Sequence, residues 1–259
     1  MVRLAHRTTT TVAEALADVE VALLPTGSTE QHGPALPLGT DFMTARAFAR
    51  SFDDSEDVLV LPPVPVGVSE HHRQFHGTLW VSPDTFEWYV RETLAGLSTH
   101  GVERAVVVNG HGGNDDAVDR AARRLRTDRV CFAPGWNWWE SVTELADDLF
   151  DGEGGHAGAR ETSLVLHVER ELVREDALEP AETGASDGWG QSVHGAGVGF
   201  DTLDFSESGA VGRPTDASAE AGARLFEAAR EELAALVDWL AERPAEDLWP
   251  REHVSATHE

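Results

Sequence analysis

The sequence predicts an α/β fold, a three-layer α/β/α sandwich with a mostly parallel central sheet, and two observations predict it. Short β-rich apolar runs alternate along the chain with helical patterns, strand then loop then helix, which implies a largely parallel sheet with helices on both faces. The 259 residues, with 41% hydrophobic content, are enough to bury the core of one α/β domain, and no repeat or linker interrupts them. A single domain over residues 1–259 is expected, with a loosely ordered polar tail after about residue 244.

The elements follow in order. "VEVALLPTG" (19–27) reads as a buried strand, followed by a Gly/Pro-rich loop and a helix over Phe42–Phe52. "VLVLPPVPVG" (58–67) is a second strand running into a loop. "SPDTFEWYVRETLAGLSTHG" is a helix with Ser82 as N-cap, Pro83 in the first turn and Gly101 as terminator. "ERAVVVNG" (103–110) is a third strand, "NDDAVDRAARRLR" its helix, and "RVCFAPG" (129–135) a fourth strand. "ARETSLVLHVERELV" (159–173) is helical, with Leu164, Leu166 and Val168 facing inward. Periodicity disappears between Glu182 and Pro214, where glycine is frequent; such a long irregular segment inside a compact domain is functional or mobile. A long helix begins with "ASAEAGARLF".

The charge balance is unusual. With 46 acidic against 20 basic residues, every one of them arginine, the formal net charge is −26. The apolar runs argue against an acidic disordered chain, so the reading is a folded protein with a solvated acidic shell suited to a salt-loaded, halophilic cytoplasm. Such a surface disfavours nucleic acid and anionic membrane as partners. Cys131 is the only cysteine, which excludes a disulfide framework and a thiolate metal cluster. Residues 1–20 carry no apolar signal region, so the expected location is the cytoplasm and the expected partner a small molecule.

In parallel sheets, ligands sit beyond the carboxyl ends of the strands. The unusual polar residues gather there, in "GSTEQHGPALPLGTD", "GVSEHHRQFHGT", "VVVNGHGGN" and the later "GGHAGARETS". Glu30, His32, Asp41, His111 and Glu161 form a hard-to-borderline ligand set that suits Zn, Mn or Fe(II) better than calcium or copper. Alternate residues of an extended segment face one side, so Glu30 and His32 can reach neighbouring ions, and the two oxygens of Asp41 can bridge them. Two cations about 3.5–4 Å apart would deprotonate a shared water and polarise the carbonyl it attacks. A structural reading stands beside this one: Asp41 as a helix N-cap, Glu161 as a first-turn carboxylate and His111 as a buried, hydrogen-bonded histidine.

In family order, "LLPTGSTEQHGPALPLGTD", "GVSEHHRQFHGT", "VVVNGHGGN" and "HAGARETS" resemble the signatures of the creatininase family, and the likeness runs from about Val19 to the terminal helix. The resemblance implies a layered α/β/α fold, two divalent metal ions (zinc with manganese or iron), a homohexamer, and hydrolysis of non-peptide or cyclic C–N amide bonds. It carries Glu30, His32, Asp41, His111 and Glu161 over as ligands, with Asp41 bridging, and His156 as the proton shuttle, an imidazole able to titrate near neutral pH. His71, His72, Gly112, Trp136 and Trp139 are the expected substrate contacts, the flat indoles for a planar amide. Two positions depart from the pattern. Some creatininases have a ligand glutamate where this chain has Gly113, and many relatives have proline where it has His76; both weigh against strict creatininase activity. Related activities are deformylation of a ribosylaminopyrimidine and trimming of a redox-cofactor precursor peptide.

Overall fold

A computed structural model describes residues 2–150 and 155–253. The elements are β1 (Val2–Arg3), α1 (Thr9–Ala15), β2 (Val21–Thr26), α2 (Thr40–Arg50), β3 (Val58–Val60), α3 (Pro83–Ser98), β4 (Ala105–Asn109), α4 (Asp115–Thr127), β5 (Gly135–Asn137), α5 (Trp138–Ser141), α6 (Thr143–Leu149), α7 (Ala159–Val168), α8 (Leu178–Thr183), the small hairpin β6 (Ser192–Val193) and β7 (Ala196–Gly197), α9 (Ala219–Glu242) and α10 (Ala245–Leu248). The five-stranded sheet has the order β1-β3-β2-β4-β5, and every pairing in it is parallel.

Strand alternation makes the three layers. Val21 and Leu23 of β2, with Val106 and Val108 of β4, face one way, onto Phe48 of α2, Leu164 of α7 and Leu225, Leu233 and Leu240 of α9. Ala22 and Leu24, with Ala105 and Val107, face the other way, onto Phe86, Val90 and Leu94 of α3 and Val118 and Leu125 of α4. Both faces are covered, so the central strands read as unbroken apolar runs. The expected sandwich is the fold observed. Among the described residues no helix is long and apolar enough to cross a membrane.

Three expectations need correction. The fourth strand is Gly135–Asn137, not residues 129–135. Phe132 and Pro134 accept hydrogen bonds from Ala105 and Val107, but Pro134 has no N–H to return, so the ladder closes only beyond it. The helix from Ala159 stops at Val168, because Glu169 leaves helical geometry (φ −149, ψ 52). The chain after Pro244 is not loose throughout. Leu248 is 3% exposed in the core, and Arg126 donates to the carbonyls of Leu248 and Trp249 at 2.8 and 3.2 Å. His258 and Gly154 lie outside the described residues.

Candidate metal centre

The centre forms at the carboxyl end of the sheet. Beyond β2 the chain makes a loop that closes on itself, Glu30 N–H donating to Leu38 O at 2.9 Å, and α2 then brings Asp41 in on its first turn. Gly39, not Asp41, occupies the N-cap position, and the Asp41 carboxylate faces into the centre. His111 follows β4, and Glu161 stands in the first turn of α7, its Oε2 accepting from Ala157 N–H at 2.6 Å. All five residues chosen from the sequence as ligands meet here. Glu70 does not, being exposed beside Arg73 at 3.6 Å.

Hydrogen bonds fix which imidazole nitrogens face the carboxylates. His111 Nε2 lies 3.0 Å from the Val68 carbonyl, which can only accept, so this nitrogen carries the proton. Its Nδ1 lone pair then points at Glu30 Oε1 and Asp41 Oδ2, each at 3.2 Å. His32 Nδ1 lies 3.2 Å from the Glu30 carbonyl and is the protonated nitrogen by the same reasoning. Its Nε2 lone pair faces Asp41 Oδ1 at 2.9 Å and Glu161 Oε2 at 3.8 Å. Either a second proton on each ring or a bound cation must lie between these nitrogens and the carboxylate oxygens. An imidazole held by a carbonyl on its far nitrogen is the arrangement of a metal-ligating histidine.

Two three-residue groups result, Glu30–Asp41–His111 and His32–Asp41–Glu161, each with donor atoms within 4.8 Å of one another and Asp41 common to both. Glu30 Oε1 and Oε2, His32 Nε2 and Asp41 Oδ2 are all buried without a hydrogen-bond partner. Unpaired polar atoms cost about 1–3 kcal/mol each when buried, so four in one place mark a site built for a charged occupant. The N/O donor set fits zinc, manganese or iron.

The electrostatics point the same way. Burial opposes a charge on His32, yet Asp41, Glu161 and Glu30 raise it to about 10. Burial likewise opposes the shift at His111, which Glu30 and Asp41 push well above its ordinary value. Burial would raise Glu30, but His111 and His72 hold it well below the carboxylate range. Three converging carboxylates thus demand positive charge. His156 is the opposite case: burial, then His32 and His72, push it far down, so it is neutral. Burial and His72 lower His71 to about 4.

A cavity of about 620 Å³ opens over the centre. His71, His72, Gly112, Trp139 and His156 line it as expected. Trp136 does not: on β5 its side chain points into the core, edge-on to Phe48 at 5.5 Å, and the neighbouring Trp138 reaches the cavity instead. His76 is exposed and outside it. Trp189, Thr202 and Phe205 also line the wall, and no sequence pattern singles them out. Gly113 stands where a ligand glutamate could be imagined, but a Cβ there would collide with the Val68 carbonyl and His111 Nε2. No side chain fits at that position in this centre.

The profile of the Creatininase family, described as creatinine amidohydrolase, matches residues 5–237. The mycofactocin precursor peptide peptidase of Mycolicibacterium smegmatis is 35% identical over 214 residues, 80% of each chain. Two solved creatininases, a mutant of Zn–Zn type and an Mn form, superpose with TM-scores of 0.78 at 23% and 22% identity; each comparison covers 93% of this chain, with 98% and 99% of the other. With its profile matched over nearly the whole chain and its metal-ligating residue types gathered in one buried centre, the chain belongs to the creatininase family of metal-dependent hydrolases.

Proposed function

We propose that the chain hydrolyses the C–N bond of an amide in a short precursor peptide, using two divalent ions bridged by Asp41. The observation that carries this reading is the Asp41 carboxylate, whose Oδ1 is 2.9 Å from His32 and whose Oδ2 is 3.2 Å from His111. Glu30 and His111 would complete one ion's ligand set, and His32 and Glu161 the other's. Bound ions supply Lewis acidity and an ionised water near neutral pH.

The remaining work falls to the chain's own residues. His156 Nε2 lies 3.0 Å from the Gln31 carbonyl, which leaves Nδ1, 3.9 Å from Glu30 Oε1, directed to the centre. As a neutral imidazole it accepts a proton at Nδ1 from the attacking water and returns it to the departing nitrogen. His71, also neutral, can hydrogen-bond the substrate without adding charge. Trp138, Trp139 and Trp189 limit water at the reacting bond and offer flat apolar walls.

The identity to the mycobacterial peptidase over most of both chains supports a peptide. The cavity volume, within the range of about 300–1,000 Å³ that holds drug-sized ligands, accommodates either reading. The expected non-peptide amide is the second reading, favoured by the family description and by Trp138 and Trp139 on the cavity wall. A homo-oligomer belongs to the same proposal: Leu79, Trp80, Trp88 and Tyr89 expose apolar surface outside the cavity that a second copy would cover.

The test is C–N hydrolysis by the full chain, loaded with zinc or manganese in high salt, of short peptides, creatinine and formamidopyrimidines, read by mass spectrometry as the addition of one water. Hydrolysis of a peptide supports the first reading, and hydrolysis of creatinine alone overturns it. Fewer than one bound transition metal per chain after gentle purification would sink the hydrolase mechanism itself.

A further inference from the structure

Gln31 separates two proposed ligands, and its side chain, 4% exposed, reaches across the centre's far side. Its Nε2 lies 2.8 Å from His72 Nδ1, 2.9 Å from His156 Nε2 and 3.0 Å from the Gly209 carbonyl. Its Oε1 accepts from Gly33 N–H at 2.9 Å. Those two backbone groups fix the amide's orientation, since the Gly33 N–H only donates and the Gly209 carbonyl only accepts. Gly209, at φ +84, leaves the space the amide fills; a Cβ there would collide with Gln31 Oε1.

The amide nitrogen has two protons for three neighbours. His156 Nε2 also lies 3.0 Å from the Gln31 backbone carbonyl, an acceptor only, so His156 donates there. The amide protons then go to Gly209 O and His72 Nδ1. His72 Nδ1 is thereby an acceptor, shared with the Thr202 hydroxyl at 2.8 Å. Its proton sits on Nε2, which faces Glu30 Oε1 at 3.3 Å, an electrostatic contact outside hydrogen-bond geometry.

We propose that Gln31 is a positioning residue: its side-chain amide fixes the Nε2–H tautomer of His72, which steadies Glu30, while its backbone carbonyl turns Nδ1 of His156 towards the same carboxylate. One residue thus orients both a metal ligand and the acid–base group. The inference rests on the ligand and proton-transfer roles proposed above. His72, chosen from the sequence as a substrate contact, acts through Glu30 on this account, buried as it is among Gln31, Thr202 and Glu30.

The test uses the full chain with its histidines labelled with ¹⁵N, first free of metal and then titrated with zinc against a chelator. In the wild type, His72 shows a protonated Nε2 and a bare Nδ1. Gln31→Met, of similar length but without hydrogen bonds, is expected to give mixed His72 tautomers and to weaken one of two zinc ions by about 10–100-fold, the usual effect of losing a partner behind a ligand. Gln31→Glu keeps the acceptor for Gly33 and the volume, and is expected to produce the same tautomer change if the Met variant does not fold. A folded variant with the wild-type His72 tautomer and both zinc ions bound at wild-type affinity overturns the assignment. If His156→Ala keeps full turnover while Gln31→Met still mixes the His72 tautomers, the proton-transfer reading fails and with it the His156 half of the assignment, while the His72 half stands.

Discussion

The loop from Gly27 to Asp41 and the irregular segment from Gly184 to Gly212 both border the cavity, but they treat their polar atoms in opposite ways. The first buries Glu30, His32 and Asp41 with four polar atoms unpaired. The second has these polar atoms paired, mostly with neighbours outside it: Asp201 accepts from Arg73 at 2.7 Å and from Gln74, the Thr202 hydroxyl meets His72, and the Ser206 and Ser208 hydroxyls donate to the carbonyls of Ala210 and Ala181. Its large aromatic side chains include exposed ones, Trp189 at 54% and Phe200 at 80%. Unpaired buried polarity is expensive and is tolerated where an ion repays it; exposed aromatic surface is tolerated where a ligand covers it. On the proposed mechanism the first segment carries the chemistry, and the second shapes the room in which it happens.

The largest effect that could break this division is at Asp41. Asp41→Asn keeps the shape but removes the charge shared by the two sites, so both ions should be lost together and activity should fall to background. His32→Ala should empty mainly one site. Metal counts per chain decide it, and loss of a single ion in both variants would contradict the bridge. Next in size, His156→Ala should keep both ions and lower turnover by about 10²–10⁴, the range for a positioned acid–base group. Full turnover would remove His156 from the mechanism.

The contrast also explains what the sequence could reveal. Three of five proposed ligands fall within one short loop, and the other two stand directly beyond an apolar strand and at a helix start, positions where residue type and pattern coincide. The parallel sheet was equally legible, because both faces of β2 and β4 are covered and their apolar runs are unbroken. Gln31 was not legible as more than a neighbour: its partners His72, His156 and Gly209 lie 41, 125 and 178 positions away. Nor were Trp189 and Phe205, which sit in a stretch without period and are placed by tertiary contacts alone. Trp136 turns into the core while Trp138 borders the cavity, because the strand expected at 129–135 begins later, after Pro134, and side-chain direction follows the true register.

A smaller effect sharpens the account of the loop's surroundings. Gly113→Ala places a methyl against the Val68 carbonyl and His111 Nε2. Overpacking there should cost about 1–3 kcal/mol of stability, read in denaturant unfolding, and should weaken metal binding through His111. If Gly113→Ala folds and binds metal like the wild type, close packing is not what keeps that position bare.

The smallest expected effect tests the other half of the comparison. Trp189 sets its ring nearly perpendicular to His71, His72 and His156, with centroids 5.7, 5.9 and 5.8 Å away, and packs on Phe205 at 5.4 Å. It is half exposed, so Trp189→Ala should change stability by no more than about 0.5 kcal/mol, as for other surface positions. None of its atoms is a proposed ligand, so both ions should stay. What it should lose is contact with substrate. An aromatic contact is worth about 0.5–1.5 kcal/mol beyond its area, which predicts a KM about 2–10-fold higher with kcat nearly unchanged. That split is the signature of binding made equally in ground and transition states. A fall in kcat at constant KM would instead place Trp189 in the chemical step, and the irregular segment could no longer be read as a wall alone.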